Sequence, residues 1–152
     1  MQKITTFLTF ESRGMEAVEF YVSIFKNSKI NNSMVIPGGT QLLHASFSLD
    51  GKEYMAMDGG EHFKFEQGFY LFVTCQDQTE VDYFWEKLTE GGGEPGQCGW
   101  LKDKFGVSWQ IIPTRLGELM QSQDHEKAGK VMQAMLQMGK IDIGGLESAA
   151  NT

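Results

Sequence analysis

Few side chains in this sequence combine the type and the setting that chemistry needs. Cys98 could act as a nucleophile only with a lowered pKa, and no His or Arg stands near it in sequence to lower it, so a structural thiol is the preferred reading. Asp103 could serve as a general base, yet its place just before Phe105-Gly106 suits a turn-forming carboxylate, and the turn role is preferred. His44 sits on the polar face of an extended stretch and could offer a hydrogen bond to a cavity. As a metal ligand it lacks partners at useful spacing, because His62 falls in a linker and His125 lies far along the chain beside Asp124 and Glu126. The run Gly91-Gly92-Gly93 follows a helical pattern, whereas phosphate-cradling loops lie between a strand and the start of a helix, so it reads as a helix stop.

The aromatic side chains suggest binding rather than reaction. Alternation along the first extended stretch puts Thr5, Phe7 and Thr9 on one face, and a second stretch does the same with Tyr70, Phe72 and Thr74. A pocket lined by rings with a few hydroxyls and amides suits a small organic ligand with a planar part and a few polar handles. Trp100 and Trp109 are candidates for the same wall, and each is equally a candidate for plain core.

The elements that would carry these residues come in two copies. Ile4 to Phe10 reads as a strand, followed by a helical stripe of Val18, Tyr21, Val22 and Phe25 at steps of three and four. Phe69 to Cys75 is followed by Val81, Phe84, Trp85 and Leu88, the same spacing shifted by 63 residues. In the first half, Lys29 to Ile36 is a strand ended by Pro37-Gly38-Gly39. Gln41 to Leu49 is a half-buried strand with Leu43, Ala45, Phe47 and Leu49 on one side and His44, Ser46 and Ser48 on the other. Asp50-Gly51 is a tight hairpin signal leading to a strand from Glu53 to Met57. In the second half, Thr79 is the expected helix N-cap, Lys102 to Phe105 and Val107 to Ile112 form a strand pair closed around Gly106, and a degenerate strand lies near Glu94. The expected class is α+β, one domain over 1–152 made of a β-α-β-β-β module over 1–60 and another over 68–113, then a helical extension over 114–152. Small-molecule sites favour the crevice where such halves meet. In the extension, Leu116 to Met120 and then Val131, Met132, Met135, Leu136 and Met138 form apolar stripes; Met packs adaptably, so the stripe is a docked helix or a ligand or partner surface, the docked helix being preferred.

Composition bounds the function. The chain has 152 residues, enough for a core without staples, and its 41% hydrophobic and 22% charged fractions are those of a globular protein. A net charge of −7 offers no clustered cations for nucleic acid or an anionic membrane. The N-terminus lacks an apolar leader and no stretch approaches the roughly 20 apolar residues of a membrane span, so a cytoplasmic location is expected. Cys75 and Cys98 are too few for a disulfide framework and are expected to be reduced.

Particular runs then carry a resemblance. Phe20-Tyr21 with Ile24-Phe25, Met57-Asp58-Gly59-Gly60, Val81-Asp82-Tyr83-Phe84-Trp85, the long run from Gln97-Cys98-Gly99-Trp100-Leu101-Lys102-Asp103 to Trp109-Gln110-Ile111-Ile112-Pro113, and Met132-Gln133-Ala134-Met135-Leu136-Gln137-Met138 resemble the PhnB-like, or 3-demethylubiquinone-9 3-methyltransferase-like, branch of the vicinal oxygen chelate superfamily. That superfamily includes glyoxalase I, extradiol dioxygenases and bleomycin-resistance proteins. The resemblance implies modules paired edge to edge, strands curling around a cavity, and a homodimer.

The superfamily's enzymes place His or Glu ligands on the first and last strands of each half. The matching positions fall near Thr5, near Tyr70, near Met55 or Met57, and at Gln110, where the ending of the second half would place its Glu. Thr, Met, Tyr and Gln do not supply the imidazole, carboxylate or thiolate donors a divalent ion wants, so no metal and no cofactor are expected. Nor does either strand-to-helix junction, Phe10 to Gly14 or Cys75 to Thr79, have the Gly-rich composition with which most adenosylmethionine enzymes bind their nucleotide. Two functions of different class remain. One is a metal-independent small-molecule-binding module of the resistance type, which is preferred. The other is an enzyme on a small oxygenated or quinone-like substrate, with Gln110, His44 or an unexpected metal polarising oxygen.

Overall fold

The computed structural model describes residues 2–152. The fold is α+β, with two four-stranded mixed sheets and five helices. The chain divides into two compact units, the first running to Phe65 and the second from Glu66.

The first unit follows the expected order: β1 (Thr6–Phe10), α1 (Gly14–Ile24), β2 (Lys29–Val35), β3 (Leu42–Leu49) and β4 (Lys52–Asp58). Its sheet runs β1-β4-β3-β2, with β1 and β4 parallel and the other pairs antiparallel. Period-2 alternation sorts the strand residues: Leu8, Phe10, Ala45, Phe47 and Ala56 are buried with Ala17, Val18 and Tyr21 of α1, while Phe7 points to the other face and stays 44% exposed. Burying each of the larger side chains contributes about 1.5–3 kcal/mol. Asp50 and Gly51 both take positive φ, 53° and 78°, as a two-residue hairpin requires.

The buried carboxylate of Asp58 organises this unit. It accepts hydrogen bonds from the backbone N–H of Gly14 and of Leu42, both at 2.8 Å, joining the first turn of α1, the start of β3 and the end of β4. Position 14 has to be glycine, because a Cβ there would lie 2.6 Å from Asp58 Oδ1.

The second unit repeats the topology with β5 (Leu71–Cys75), α2 (Gln78–Thr89), β6 (Glu94–Pro95), β7 (Trp100–Lys102) and β8 (Ser108–Pro113), in the order β5-β8-β7-β6. Val81 and Leu88 of α2 are buried with Cys75, Leu101, Trp109 and Ile111. Three helices follow, α3 (Thr114–Met120), α4 (His125–Leu136) and α5 (Ile143–Ala150). Their core gathers Leu116, Leu119, Val131, Met135, Ile141 and Leu146 around Ile112 at the end of β8, so the extension is continuous with the second unit. Met132 and Leu136 remain exposed on α4.

Four expectations need correction. Leu43 does not join the core: a bulge opposite Met34 and Val35 shifts the phase of β3, so Leu42 is buried and Leu43 is 39% exposed. The N-cap of α2 is Asp77, not Thr79, because the Asp77 carboxylate accepts from Glu80 N while Glu80 reaches back to Gln76 N. The strand expected over 102–105 is instead Trp100–Lys102, because Asp103 bends the chain: its carboxylate accepts from the N–H groups of Phe105 and Val107. Thr5 and Tyr70 stand one residue ahead of β1 and β5 rather than within them.

Candidate functional site

Each sheet has one face covered by its helix and one turned away from it, and the expected ligand residues divide between these. In the first unit the uncovered face carries the cross-strand row Phe7, Met55, Ser46 and Asn32, fixed by the pairings Phe7–Met55, Met55–Ser46 and Ser46–Asn32. Thr9 pairs with Met57, and His44 with Met34. Phe7, His44 and Met34 are exposed and Thr9, Ser46, Met55 and Met57 are half-buried, so this face offers three thioethers, a ring, two hydroxyls and an imidazole beside the amide of Asn32.

In the second unit the corresponding row is Phe72, Gln110 and Trp100, set by the pairings Phe72–Gln110 and Trp100–Gln110. Phe72 is 56% exposed and Trp100 37%, while Gln110 between them is only 6% exposed. The Tyr70 ring meets Trp100 edge-on, 5.4 Å between centroids. Gln110 is held by its Nε2, which donates to the carbonyl oxygen of Cys98 at 3.0 Å. That bond consumes one of the amide's two N–H donors and fixes the side chain's position in the row.

Beside this row lies a cleft of about 360 Å³ lined by Gln67, the segment Glu94 to Gln97, Trp100, Leu101, Lys102 and Ser108. Lys102 stands opposite both Glu94 and Ser108 in the sheet. Sequence reasoning passed over Lys102, Ser108 and Gln97. The signal was present, because a step of two from Trp100 reaches Lys102 and a step of two from Gln110 reaches Ser108.

Two candidates lie elsewhere. Trp109 cannot share a wall with Gln110, since adjacent strand residues face opposite sides; it is 2% exposed beneath α2, its Nε1 donating to Asp103 Oδ2 at 2.8 Å. Asp103, itself 2% exposed, accepts three protein hydrogen bonds and is built in as a turn carboxylate. Of the cysteines, Cys75 is buried with its thiol pushed up to about 12, first by loss of hydration and then by the carboxylates of Glu80 and Asp77. Cys98 is half-buried and adopts a left-handed backbone, φ 58°.

The residues do not suit the groups that the resemblance implies. The positions that would hold a divalent metal present hydroxyl, thioether, phenol and amide, and among the described residues no three His, Cys, Asp or Glu side chains are grouped to hold one. The two strand-to-helix junctions are likewise unfavourable to an anionic nucleotide. Asp58 accepts from Gly14 N at the start of α1, and Asp77 accepts from Glu80 N in the first turn of α2 while Glu80 accepts from Gln76 N just before it, so a negative protein group already stands at each junction where a phosphate or carboxylate would sit.

Comparisons agree with this architecture. The sequence profile of the 3-demethylubiquinone-9 3-methyltransferase family matches residues 2–112. A PhnB protein of known structure from Bacillus cereus is 36% identical, with a TM-score of 0.68, over 74% of this chain and 99% of its own. Protein PA1353 from Pseudomonas aeruginosa shares the fold at 18% identity and TM-score 0.59, covering 74% of this chain and 98% of that one. The fosfomycin resistance protein FosX from Listeria monocytogenes, solved with Mn(II) and sulfate, does so at 17% identity and TM-score 0.55, covering 73% and 92%. No curated protein matches the chain. Among the described residues no helix is long and apolar enough to cross a membrane.

Proposed function

Because this chain belongs to the 3-demethylubiquinone-9 3-methyltransferase family, the PhnB-like branch of the glyoxalase and bleomycin-resistance superfamily, we propose that it is a cytoplasmic, homodimeric small-molecule-binding protein that works without a metal. One observation carries this reading: Phe72 and Trp100 stand exposed on either side of a buried, amide-anchored Gln110. Exposed rings around a fixed polar group are what a planar ligand with an oxygen-bearing substituent needs, the rings supplying stacking area and the amide fixing orientation. By itself, the first unit's uncovered face carries Thr9 and His44 as polar handles beside Phe7, with Thr5 one residue ahead of β1.

Methyl transfer is not part of the proposal. Asp58, Asp77 and Glu80 already stand at the helix N-termini where a nucleotide's anionic groups would gain most. An enzyme acting on a small oxygenated or quinone-like substrate is the second reading, favoured by Gln110 and His44, which are among the side chains on the uncovered faces that can donate a hydrogen bond to a ligand oxygen.

Native mass spectrometry of freshly purified protein tests the proposal. The expected spectrum is a metal-free dimer retaining an organic mass, and the Gln110→Ala variant keeps that mass with reduced occupancy. A stoichiometric divalent ion would sink the metal-independent reading. Turnover of a quinone-like substrate that collapses in Gln110→Ala would make the enzyme the better account.

A further inference from the structure

The helices after β8 lie outside the family match, which ends at residue 112. Even so, their attachment converges on the loop that holds Gln110. We propose that the C-terminal extension is a positioning device for the ligand face: the linker between α4 and α5 fixes the loop at Cys98-Gly99, and through it the side-chain amide of Gln110. This rests on the reading of the Gln110 row as the ligand face.

The bonds form two layers. Cys98 N donates to Met138 O and Gly99 N to Gly139 O, both at 2.8 Å. On the other side of the same two residues, Gln110 Nε2 donates to Cys98 O at 3.0 Å and Ile111 N to Gly99 O at 2.8 Å. Each loop residue is thus held by the extension through its N–H and by β8 through its carbonyl. Cys98 and Gly99 take consecutive left-handed conformations, φ 58° and 82°, and a cysteine keeps that geometry only where its surroundings enforce it. A Cβ at position 99 would sit 2.8 Å from Ile111 O, so the loop is pressed directly onto β8.

The linker is itself latched to α2. Gln78 donates through Nε2 to Ile141 O at 2.9 Å and accepts through Oε1 from Ile143 N at 2.8 Å, while Lys140 Nζ lies 2.8 Å from Asp82 Oδ1. Gln97, the residue before the loop, lines the cleft, so displacement of the linker reaches both the cleft wall and Gln110. A family member without this extension would need some other support for the same carbonyl.

The test uses the full chain with the latch opened by Gln78→Ala and Lys140→Ala together, and Lys140→Arg as the conservative control. Three quantities are read: amide exchange at Cys98 and Gly99 with the side-chain NH2 of Gln110 by NMR, the melting temperature, and affinity for 2-naphthoate as a planar acid probe. The double variant is expected to exchange about tenfold faster at Cys98, Gly99 and the Gln110 side chain, the behaviour of a locally opened segment, and to bind the probe several-fold more weakly. Lys140→Arg should resemble the parent chain. A lowered melting temperature with unchanged exchange at these three sites would overturn the proposal and leave the extension a plain stabiliser. Faster exchange in a protein whose parent form does not bind 2-naphthoate would uphold the coupling and count against the ligand face instead.

Discussion

The indole nitrogen of Trp109 donates to the carboxylate of Asp103 at 2.8 Å, and both side chains are almost wholly buried. The same carboxylate accepts from the N–H groups of Phe105 and Val107, so one side chain closes the β7–β8 turn and anchors the largest core residue of the second unit. Removing it strands several donors in a dry environment. Asp103→Ala is expected to lower stability by about 3 kcal/mol or more, measured by urea unfolding, since each stranded donor costs about 1–3 kcal/mol. A loss under half that size would mean that water replaces the carboxylate.

Asp58 plays the equivalent part in the first unit, and Gly14 is the position most sensitive to it. Gly14→Ala would drive a methyl group to 2.6 Å from Asp58 Oδ1, which has nowhere to retreat without giving up Gly14 N or Leu42 N. Destabilisation of about 1–3 kcal/mol is expected, as for other overpacked sites. Thermal unfolding that leaves the variant as stable as the parent would refute the crowding.

The latch between α2 and the extension should respond to acid. Asp82 has its carboxyl lowered below the usual range, first by the hydrogen bond from Lys140, then by that from Gln78, so it binds protons less readily when folded than when unfolded. Its contribution is therefore present above the ordinary carboxylate value and lost as pH falls through the lowered one. Exchange at Cys98 and Gly99 is expected to rise as pH drops below about 4, after correction for intrinsic exchange, and this acid response should shrink in Lys140→Ala, where only the hydrogen bond from Gln78 still lowers Asp82. The pair is exposed, so high salt should weaken it as well.

The two thiols should separate cleanly. Cys75 is buried and pushed up to about 12, so at pH 8 it presents almost no thiolate to an alkylating agent. Iodoacetamide on the native protein is expected to leave Cys75 unmodified, and after denaturation to modify both cysteines. Peptide mass mapping that finds Cys75 labelled in the native state would show that the α2 side of the sheet opens.

Much of the fold was legible because alternation and helical spacing survive translation into burial. The repeated stripes became α1 and α2, Asp50-Gly51 became the hairpin, and the faint signal near Glu94 became β6. Where the reading slipped, a local rule met a competitor. A bulge reversed the phase at Leu43, and the choice of cap between Asp77 and Thr79 turned on which side chain Glu80 could reciprocate. Helix α5, opening Ile143-Gly144-Gly145, carries too little periodic apolar signal to announce itself within the extension.

By itself the sequence determined the class, the duplicated topology, the family, and the faces on which Phe7 and Phe72 lie, because strand periodicity and turn chemistry act over a few residues. Only the tertiary structure decided which polar groups are already committed. Asp58 is spoken for by Gly14 and Leu42, Asp103 by Trp109, and Gln110 by Cys98, in bonds spanning 44, 16, 6 and 12 positions. A hydrogen bond depends on where two segments meet in space, and no pattern local to either segment carries that distance.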